Sequence, residues 1–191
     1  MKQLVFATDN PNKVREVNAL LENRIKIISK KEIGCLEEIP ETQPTIRGNA
    51  LQKAMYLYDR YQVDCFAEDS GLEVDLLDGR PGVYSARYAG EAKDDKENMA
   101  KVLKEMENIS DRSAQFKTVI ALIIGGQARL YEGIVRGKLA KKPKGDKGFG
   151  YDPIFIPDEL DTTFACVSSK IKNEISHRGK AVRLLISFLT K

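Results

Sequence analysis

The sequence predicts an α/β fold: one mixed β-sheet flanked by helices, in a single domain over residues 1–191. In the first half of the chain, short apolar runs are followed by segments with helical periodicity, as in α/β proteins. Further on, residues 114–124 and 127–139 are both extended and apolar, and only Gly125 and Gly126 separate them. Two residues can join antiparallel strands but not parallel ones. The sheet is therefore predicted to be mixed.

The composition excludes several classes of protein. With 42% hydrophobic residues the chain can form one substantial core, and a net charge of +3 is too balanced to indicate a nucleic-acid surface. The three cysteines are far apart in sequence, which argues against a disulfide framework or a zinc site. The N-terminal apolar run, residues 4–7, is too short for a signal peptide or a membrane span. We therefore expect a cytoplasmic protein with no nucleic-acid or membrane partner.

The first strand, residues 4–7, leads into a polar turn and then a helix. Asn10 is a plausible helix N-cap with Pro11 in the first helical position. Free backbone N–H groups, the helix dipole and the Lys13 ammonium would then converge on one point, where a phosphate can bind. Ordinary capping without any ligand is the alternative.

A second strand, residues 25–28, is followed by an acidic loop and by a helix predicted over residues 46–61. The loop carries Glu37, Glu38 and Glu41, and three acids in one loop usually form a solvated surface. They gain a function only if the loop lies beside further carboxylates, because Mg²⁺ is usually bound through one or two of them.

Such carboxylates occur at Glu68 and Asp69, directly after the apolar residues 65–67. We predict that a strand ends here in a turn at Ser70 and Gly71, which places Asp69 at the C-terminal lip of the strand, where α/β sheets bind ligands. Residues 72–76 alternate as in a second strand, and we expect it to form a hairpin with the first. A solvated acidic turn is the alternative reading.

Two later segments have features of a binding site. Residues 148–153 alternate glycine with aromatic residues, which suits stacking on a purine but also suits an ordinary tight turn. The closing helix is predicted to follow Ser176, with Ala181, Leu184, Leu185 and Phe188 facing inward. His177 and Arg178 lie in its first turn, where cations oppose the helix dipole unless an acceptor-rich ligand is bound.

Five motifs, in matching order along essentially the whole chain, resemble the inosine triphosphate pyrophosphatase family. They read A-T-D-N-P-N-K, A-E-D-S-G-L-E-V, G-R-P-G-V-Y-S-A-R-Y-A-G, G-F-G-Y-D-P-I-F and I-S-H-R-G-K-A. The resemblance implies an elongated mixed α/β fold, similar to that of the Maf-like enzymes, with two lobes and a central substrate cleft, and a homodimer. It also implies Mg²⁺-dependent hydrolysis of ITP, dITP and XTP to the monophosphate and pyrophosphate, which would cleanse the nucleotide pool.

The resemblance also implies roles for individual residues. Asp69 would be the catalytic base and, with Glu41, a metal ligand. The residues implied to hold the triphosphate are Thr8, Asp9, Asn10, Pro11, Asn12 and Lys13. Those implied to contact the rest of the substrate are Ser70, Phe149, Gly150, Tyr151, Asp152, Lys172, His177 and Arg178.

Four positions depart from the family pattern. Glu68 replaces the usual aspartate, Gln43 and Gly48 replace the usual Gly and Glu beside Glu41, and Cys166 replaces an acidic residue. Which of Glu38, Glu41 and Glu68 completes the metal shell stays open.

Selection of the base has a simple chemical logic. Donors from His177, Arg178 or the nearby backbone would donate to the 6-keto oxygen of hypoxanthine or xanthine. The amino group of adenine would leave these donors unpaired, at a cost of about 1–3 kcal/mol. Rejection of GTP needs a second device that the sequence does not reveal. Two rivals stay open: a Maf-like pyrophosphatase would lack the S-H-R element, and a non-catalytic nucleotide-binding protein would lack Asp69 or Lys13.

Overall fold

The structure, a computed structural model, describes residues 2–21 and 24–190. Its strands are β1 (Lys2–Phe6), β2 (Ile25–Ser29), β3 (Cys65–Val74), β4 (Ser113–Ile124), β5 (Gln127–Leu139) and β6 (Phe155–Pro157). Its α-helices are α1 (Pro11–Leu21), α2 (Ile46–Tyr61), α3 (Asp95–Glu105), α4 (Ser169–Ile175) and α5 (His177–Leu189). None of the helices that the structure describes is both long enough and apolar enough to cross a bilayer.

The six strands form one sheet in the order β2-β1-β3-β4-β5-β6. β1 pairs in parallel with both β2 and β3, whereas β5 and β6 are antiparallel. The predicted mixed sheet flanked by helices is therefore confirmed. Phe6, the last residue of β1, pairs with Phe66, and Glu68 and Asp69 follow two and three residues later on the parallel strand β3, so both acids lie beyond the end of β1.

The chain divides into two compact units. The first contains the residues up to Asp69, Thr118–Gly133 and the residues from Arg178 on, and the second contains Ser70–Lys117 and Ile134–His177. The core of the first unit includes Leu4, Phe6, Val17, Leu21, Phe66, Ile120, Leu122 and Leu185. The core of the second includes Leu72, Val74, Val102, Met106, Phe116, Val135, Phe155 and Phe164.

The turn predicted at Ser70 and Gly71 is wrong. β3 continues through both residues to Val74, so there is one strand instead of a hairpin. The glycine serves a close backbone approach, because a Cβ at position 71 would collide with the backbone carbonyl of Gly82 and lie 2.9 Å from Ser85 Oγ.

The last two helices also differ from the prediction. Helix α4 was not predicted; it ends at Ile175, and its C-cap Ser176 leads directly into α5. Leu184, predicted to face inward, is 49% exposed, and Val182 and Ile186 are buried instead. The apolar stripe of α5 is thus shifted around the helix from the one expected.

Candidate active site

Asp69 is a buried carboxylate on β3 in the first unit. Its Oδ1 accepts a hydrogen bond from Lys53 Nζ at 3.1 Å. Its Oδ2 is also buried, and it has no hydrogen-bond partner among the described residues. Burial raises the pKa of Asp69, and the neighbouring Lys53 and Lys13 ammonium groups oppose that rise. The result is a carboxylate of enhanced basicity with one unsatisfied oxygen.

Lys53 comes from α2 and lies between two carboxylates. Its buried ammonium contacts Glu41 Oε1 at 2.5 Å as well as Asp69 Oδ1. Burial lowers the pKa of Lys53, but the two carboxylates outweigh burial and hold the pKa above its ordinary value. Because both acids bind the same nitrogen, Glu41 and Asp69 lie close together, although they are far apart in sequence.

The loop that carries Glu41 is fixed to α2 by hydrogen bonds. The Thr42 N–H donates to Gln52 Oε1 at 2.9 Å, and the Gln43 N–H donates to Asn49 Oδ1 at 2.8 Å. At Gly48 a Cβ would lie only 2.7 Å from Gln43 Cβ. The unusual residues at positions 43 and 48 therefore fit each other, and Glu41 keeps its place beside Asp69.

The Glu68 carboxylate is paired with the guanidinium of Arg178. Arg178 Nε lies 2.8 Å from Glu68 Oε2, and Arg178 Nη2 lies 2.6 Å from Glu68 Oε1. The same guanidinium donates to Glu16 Oε2 at 2.5 Å, and Lys13 Nζ lies 3.3 Å from Glu68 Oε1. The conflict between Arg178 and the dipole of α5 is thus relieved by acids of the chain itself. These contacts locate Arg178, but they do not test the predicted contact with the base.

Lys13 belongs to the same group of charged side chains, and the pKa of its ammonium is below the ordinary value. Burial lowers its pKa, Glu68 and Asp69 oppose the change, and the positive charges of Lys53 and Arg178 add to it. A bound polyphosphate would supply the negative charge that favours the protonated form. A polyanion bound beside Lys13 would therefore raise the pKa of its ammonium towards the ordinary value.

The loop before α1 is closed by its own side chains. Asn10 Oδ1 accepts from the N–H groups of Asn12 at 2.9 Å and Lys13 at 3.3 Å, which confirms Asn10 as the cap. The Asn10 N–H donates to Thr8 Oγ1 at 3.1 Å, and Pro11 has no N–H. The expectation of free N–H groups at this point is therefore wrong: the cap uses those of Asn12 and Lys13.

A second cluster of predicted residues lies in the second unit. Lys172 Nζ contacts Asp152 Oδ2 at 2.6 Å and lies 4.8 Å from the centre of the Phe149 ring. The Phe149 N–H donates to the same Asp152 oxygen at 2.9 Å. Gly148 is required here, because a side chain at that position would collide with the Asp152 carboxylate. This turn holds the half-buried Phe149 ring beside a buried ammonium.

The other predicted members of this cluster serve the fold as well. Tyr151 is buried and donates from its hydroxyl to the Ser85 carbonyl at 2.8 Å, and the Gly150 N–H donates to Asp95 at 2.7 Å. The His177 ring is buried and stacks on Phe116, with 4.6 Å between ring centres. Ser70 is half-buried on β3, next to Asp69.

Glu41 and Asp69 form the candidate site for a divalent metal ion. Among the described residues, no group of three or more His, Cys, Asp or Glu side chains is placed to hold a metal. Asp69 nevertheless has a buried oxygen without a partner, and Glu41 lies close to it. Two carboxylates suffice for Mg²⁺, which keeps water and substrate phosphate as its other ligands. The residues present therefore fit such an ion.

Sequence reasoning missed Lys53 and Glu16. Lys53 had a readable signal, because it interrupts the apolar stripe of α2 between Ala50 and Leu57. A lysine on a buried helix face needs acidic partners. Glu16 lay one turn beyond Lys13 without any such signal.

Comparisons with known proteins give a consistent result. A sequence model of the Ham1 family matches residues 4–188. A dITP/XTP pyrophosphatase of Flavobacterium johnsoniae is 53% identical over 188 residues, covering 98% of each chain. A dITP/XTP pyrophosphatase of Bacillus subtilis is 47% identical and covers 99% of this chain and 98% of its own. The Ham1 protein of Coxiella burnetii has a solved structure with a TM-score of 0.92 and 39% identity, covering 100% of this chain and 99% of its own.

Proposed function

Because this chain belongs to the Ham1 family, we propose that it hydrolyses the non-canonical purine nucleoside triphosphates ITP, dITP and XTP to the monophosphate and pyrophosphate. The names of its relatives, dITP/XTP pyrophosphatases, support this substrate class. One observation carries the proposal: buried Asp69, with one unpartnered oxygen, is linked through Lys53 to Glu41. Removal of non-canonical nucleotides from the precursor pool is the expected cellular role.

Asp69 is assigned the role of general base. It orients a water molecule and accepts one of its protons while the water oxygen bonds to phosphorus. The anhydride bond between the first and second phosphates breaks, and pyrophosphate leaves with the electron pair of that bond. The raised pKa of Asp69 makes it a stronger base than an exposed aspartate. Lys53 holds the carboxylate in place through Oδ1.

Positively charged groups are assigned to neutralise the triphosphate of the substrate. Lys13 and Lys172 are assigned to phosphate oxygens, where neutralisation carries much of the catalysis of phosphoryl transfer. Thr8, Asp9 and Asn10 in the loop before α1, and Asn12 in the first turn of α1, are assigned to the triphosphate. Glu41 and Asp69 would hold a divalent cation, Mg²⁺ in our proposal, which when bound would add positive charge against the phosphates.

Base recognition is assigned to Phe149, Asp152, His177 and Arg178. Phe149 is the half-buried aromatic ring of its turn, which supports its assignment to stacking on a purine. The Arg178 guanidinium is fixed in orientation by Glu68 and Glu16, which suits a donor that must select one acceptor. Its contact with the 6-keto oxygen remains a proposal. The homodimer and the cytoplasmic location likewise remain predictions.

The proposed function is tested with a panel of nucleoside triphosphates and Mg²⁺, assayed for release of pyrophosphate. We expect kcat/KM for ITP, dITP and XTP to exceed that for ATP by at least about tenfold, the factor that about 1.4 kcal/mol of discrimination supplies. Release of inorganic phosphate in place of pyrophosphate, or equal rates for ITP and ATP, would contradict the proposal. Binding without hydrolysis would favour the non-catalytic rival.

A further inference from the structure

Lys30 is a fully buried lysine outside the set of residues assigned above. Only 1% of it is exposed. Its ammonium lies 2.8 Å from Asp9 Oδ2 and donates to the Glu37 carbonyl at 2.5 Å. A buried ammonium is tolerated only where such partners replace its water. The chain therefore uses Lys30 to join the loop that carries Asp9 to the loop that leads to Glu41.

The position of Lys30 is fixed by its local structure. It follows β2, whose last residue, Ser29, pairs with Phe6 at the end of β1. Ser29 and Glu32 form a capping box around the short 3₁₀ turn of Lys30–Ile33. The Cys35 N–H donates to the Lys30 carbonyl at 3.0 Å. These contacts hold the ammonium beside the residues that follow β1.

The Asp9 carboxylate needs a cationic partner such as the Lys30 ammonium. Its carboxylate is 51% exposed in the loop assigned to the triphosphate, between Thr8 and the helix cap Asn10. A negative charge there repels the polyanion that the loop is assigned to bind, unless a cation neutralises it. Lys31 is no substitute, because its ammonium is 4.0 Å from Asp9 and 68% exposed, so solvent screens it.

We propose that Lys30 is a positioning residue for substrate binding: it neutralises and orients Asp9 so that the loop of residues 8–13 accepts a triphosphate. The inference rests on the proposed function, because it concerns the same substrate. Lys30 acts through Asp9 and touches no reacting atom. Its loss should therefore weaken binding and leave the chemical step almost unchanged.

The test compares K30M with K31M, a matched control that removes the same charge from the neighbouring residue. In K30M we expect KM for dITP to rise about five- to tenfold, the effect of one uncompensated charge near the ligand, with kcat within about twofold of wild type. In K31M we expect KM to change by less than about twofold. Equal rises in KM in the two variants, or a fall in kcat without any rise in KM, would overturn the proposal.

Asp9 supplies the decisive arm of the experiment. In a D9N background, where no negative charge is left to neutralise, K30M should raise KM by less than about twofold. If Lys30 served only to hold the loop to the Glu37 carbonyl, its removal would have the same effect in both backgrounds. An undiminished effect of K30M in D9N would therefore overturn the proposal.

A second readout separates this inference from the proposed function. The affinity for inorganic tripolyphosphate, measured by calorimetry, needs no hydrolysis and should show the same pattern in the four variants K30M, K31M, D9N and K30M/D9N. If wild type binds tripolyphosphate with this pattern but hydrolyses no nucleotide, the proposed function fails and the role of Lys30 stands. If nucleotides are hydrolysed and K30M binds like wild type, only the role of Lys30 fails.

Folding is checked by melting temperature. Removal of Lys30 leaves Asp9 half in solvent, where its charge is hydrated, so K30M should fold. K30Q keeps a donor for the Glu37 carbonyl without the charge, and it should show the same rise in KM. Unfolding of both variants at the assay temperature would overturn the proposal, because Lys30 would then serve the fold.

Discussion

Lys53 brings together the two carboxylates on which the proposed chemistry depends. Without its ammonium, Glu41 and Asp69 would repel each other, and Asp69 would lose the hydrogen bond that orients it. Like charges at such close range raise each other's pKa and favour a protonated carboxylate. A protonated Asp69 cannot accept a proton from water. The loss of Lys53 should therefore slow hydrolysis by leaving Asp69 protonated.

We therefore predict that Lys53→Met lowers kcat for dITP by at least about 100-fold, within the range for a lost general base. The thermal stability of the metal-free protein gives a second test of this role of Lys53. Burial raises the pKa of Asp69 and Lys53 opposes the rise, so the variant should lose more stability than wild type as the pH rises above about 4.

The melting temperature of both proteins in chelator, followed across pH, checks the second expectation. The gap between them should widen as the pH increases, because an acid whose pKa is higher in the folded state destabilises the fold once it must ionise. Arg47→Met, on the exposed face of the same helix, is the matched control. A gap that is constant across pH would show that Lys53 does not control the ionisation of Asp69.

Single residues were readable from sequence where the chemistry is local. Asp69 stood out as an acid beside an apolar run, and Asn10 as a cap before Pro11. The partners of Arg178 were not readable, because Glu68 is 110 positions away in sequence and meets it only in the folded first unit. Lys30 was missed for the same reason: no local pattern distinguishes a buried ammonium from an exposed one.

β3 is the element that carries the site, and it continues straight through the acids. Its strand geometry sends successive side chains to opposite faces, so Glu68 and Asp69 serve two different groups, Arg178 and Lys53. A turn at this point would not have fixed the Glu68 and Asp69 side chains on opposite faces of the sheet. Gly71 was taken for a turn residue because glycine suits both turns and close backbone approaches, and sequence alone does not distinguish the two.

The role of Gly71 leads to a prediction for the element. Gly71→Ala places a methyl group against the Gly82 carbonyl, and the neighbouring backbone must move to accommodate it. We expect the free energy of unfolding to fall by about 1–3 kcal/mol, the usual cost of overpacking. Urea denaturation measures this fall, and an unchanged midpoint would show that the Gly82 segment adjusts freely.

Helix α2 and the central hairpin of β4 and β5 were predictable because long, strongly periodic segments specify their own geometry. Helix α2 was predicted over the same residues, and β4 and β5 to within one residue. Helix α4 has seven residues, too few for a clear apolar stripe, and its place before α5 was not readable. Short elements depend on tertiary contacts for their stability, so sequence patterns predict them poorly.

Across the whole chain, the candidate residues fall into two groups. The first unit holds Asp69, Glu41, Lys53 and Lys13, and the second holds the turn of Phe149 and Asp152 with Lys172 of α4 in contact with it. The family was recognisable from motifs spread over the entire sequence, and its membership is confirmed. The assignment of roles to single residues stays a proposal, because it depends on a substrate.

Asp69→Asn tests most directly whether the first unit carries out the hydrolysis. The substitution keeps the shape of the side chain and an acceptor for Lys53, and it removes the base. We predict a wild-type melting temperature and dITP affinity, with pyrophosphate release in a single turnover slowed by at least about 100-fold. Asp59→Asn, an exposed aspartate on α2, should react like wild type. Wild-type-like pyrophosphate release from dITP by the Asp69→Asn protein would contradict the proposed mechanism.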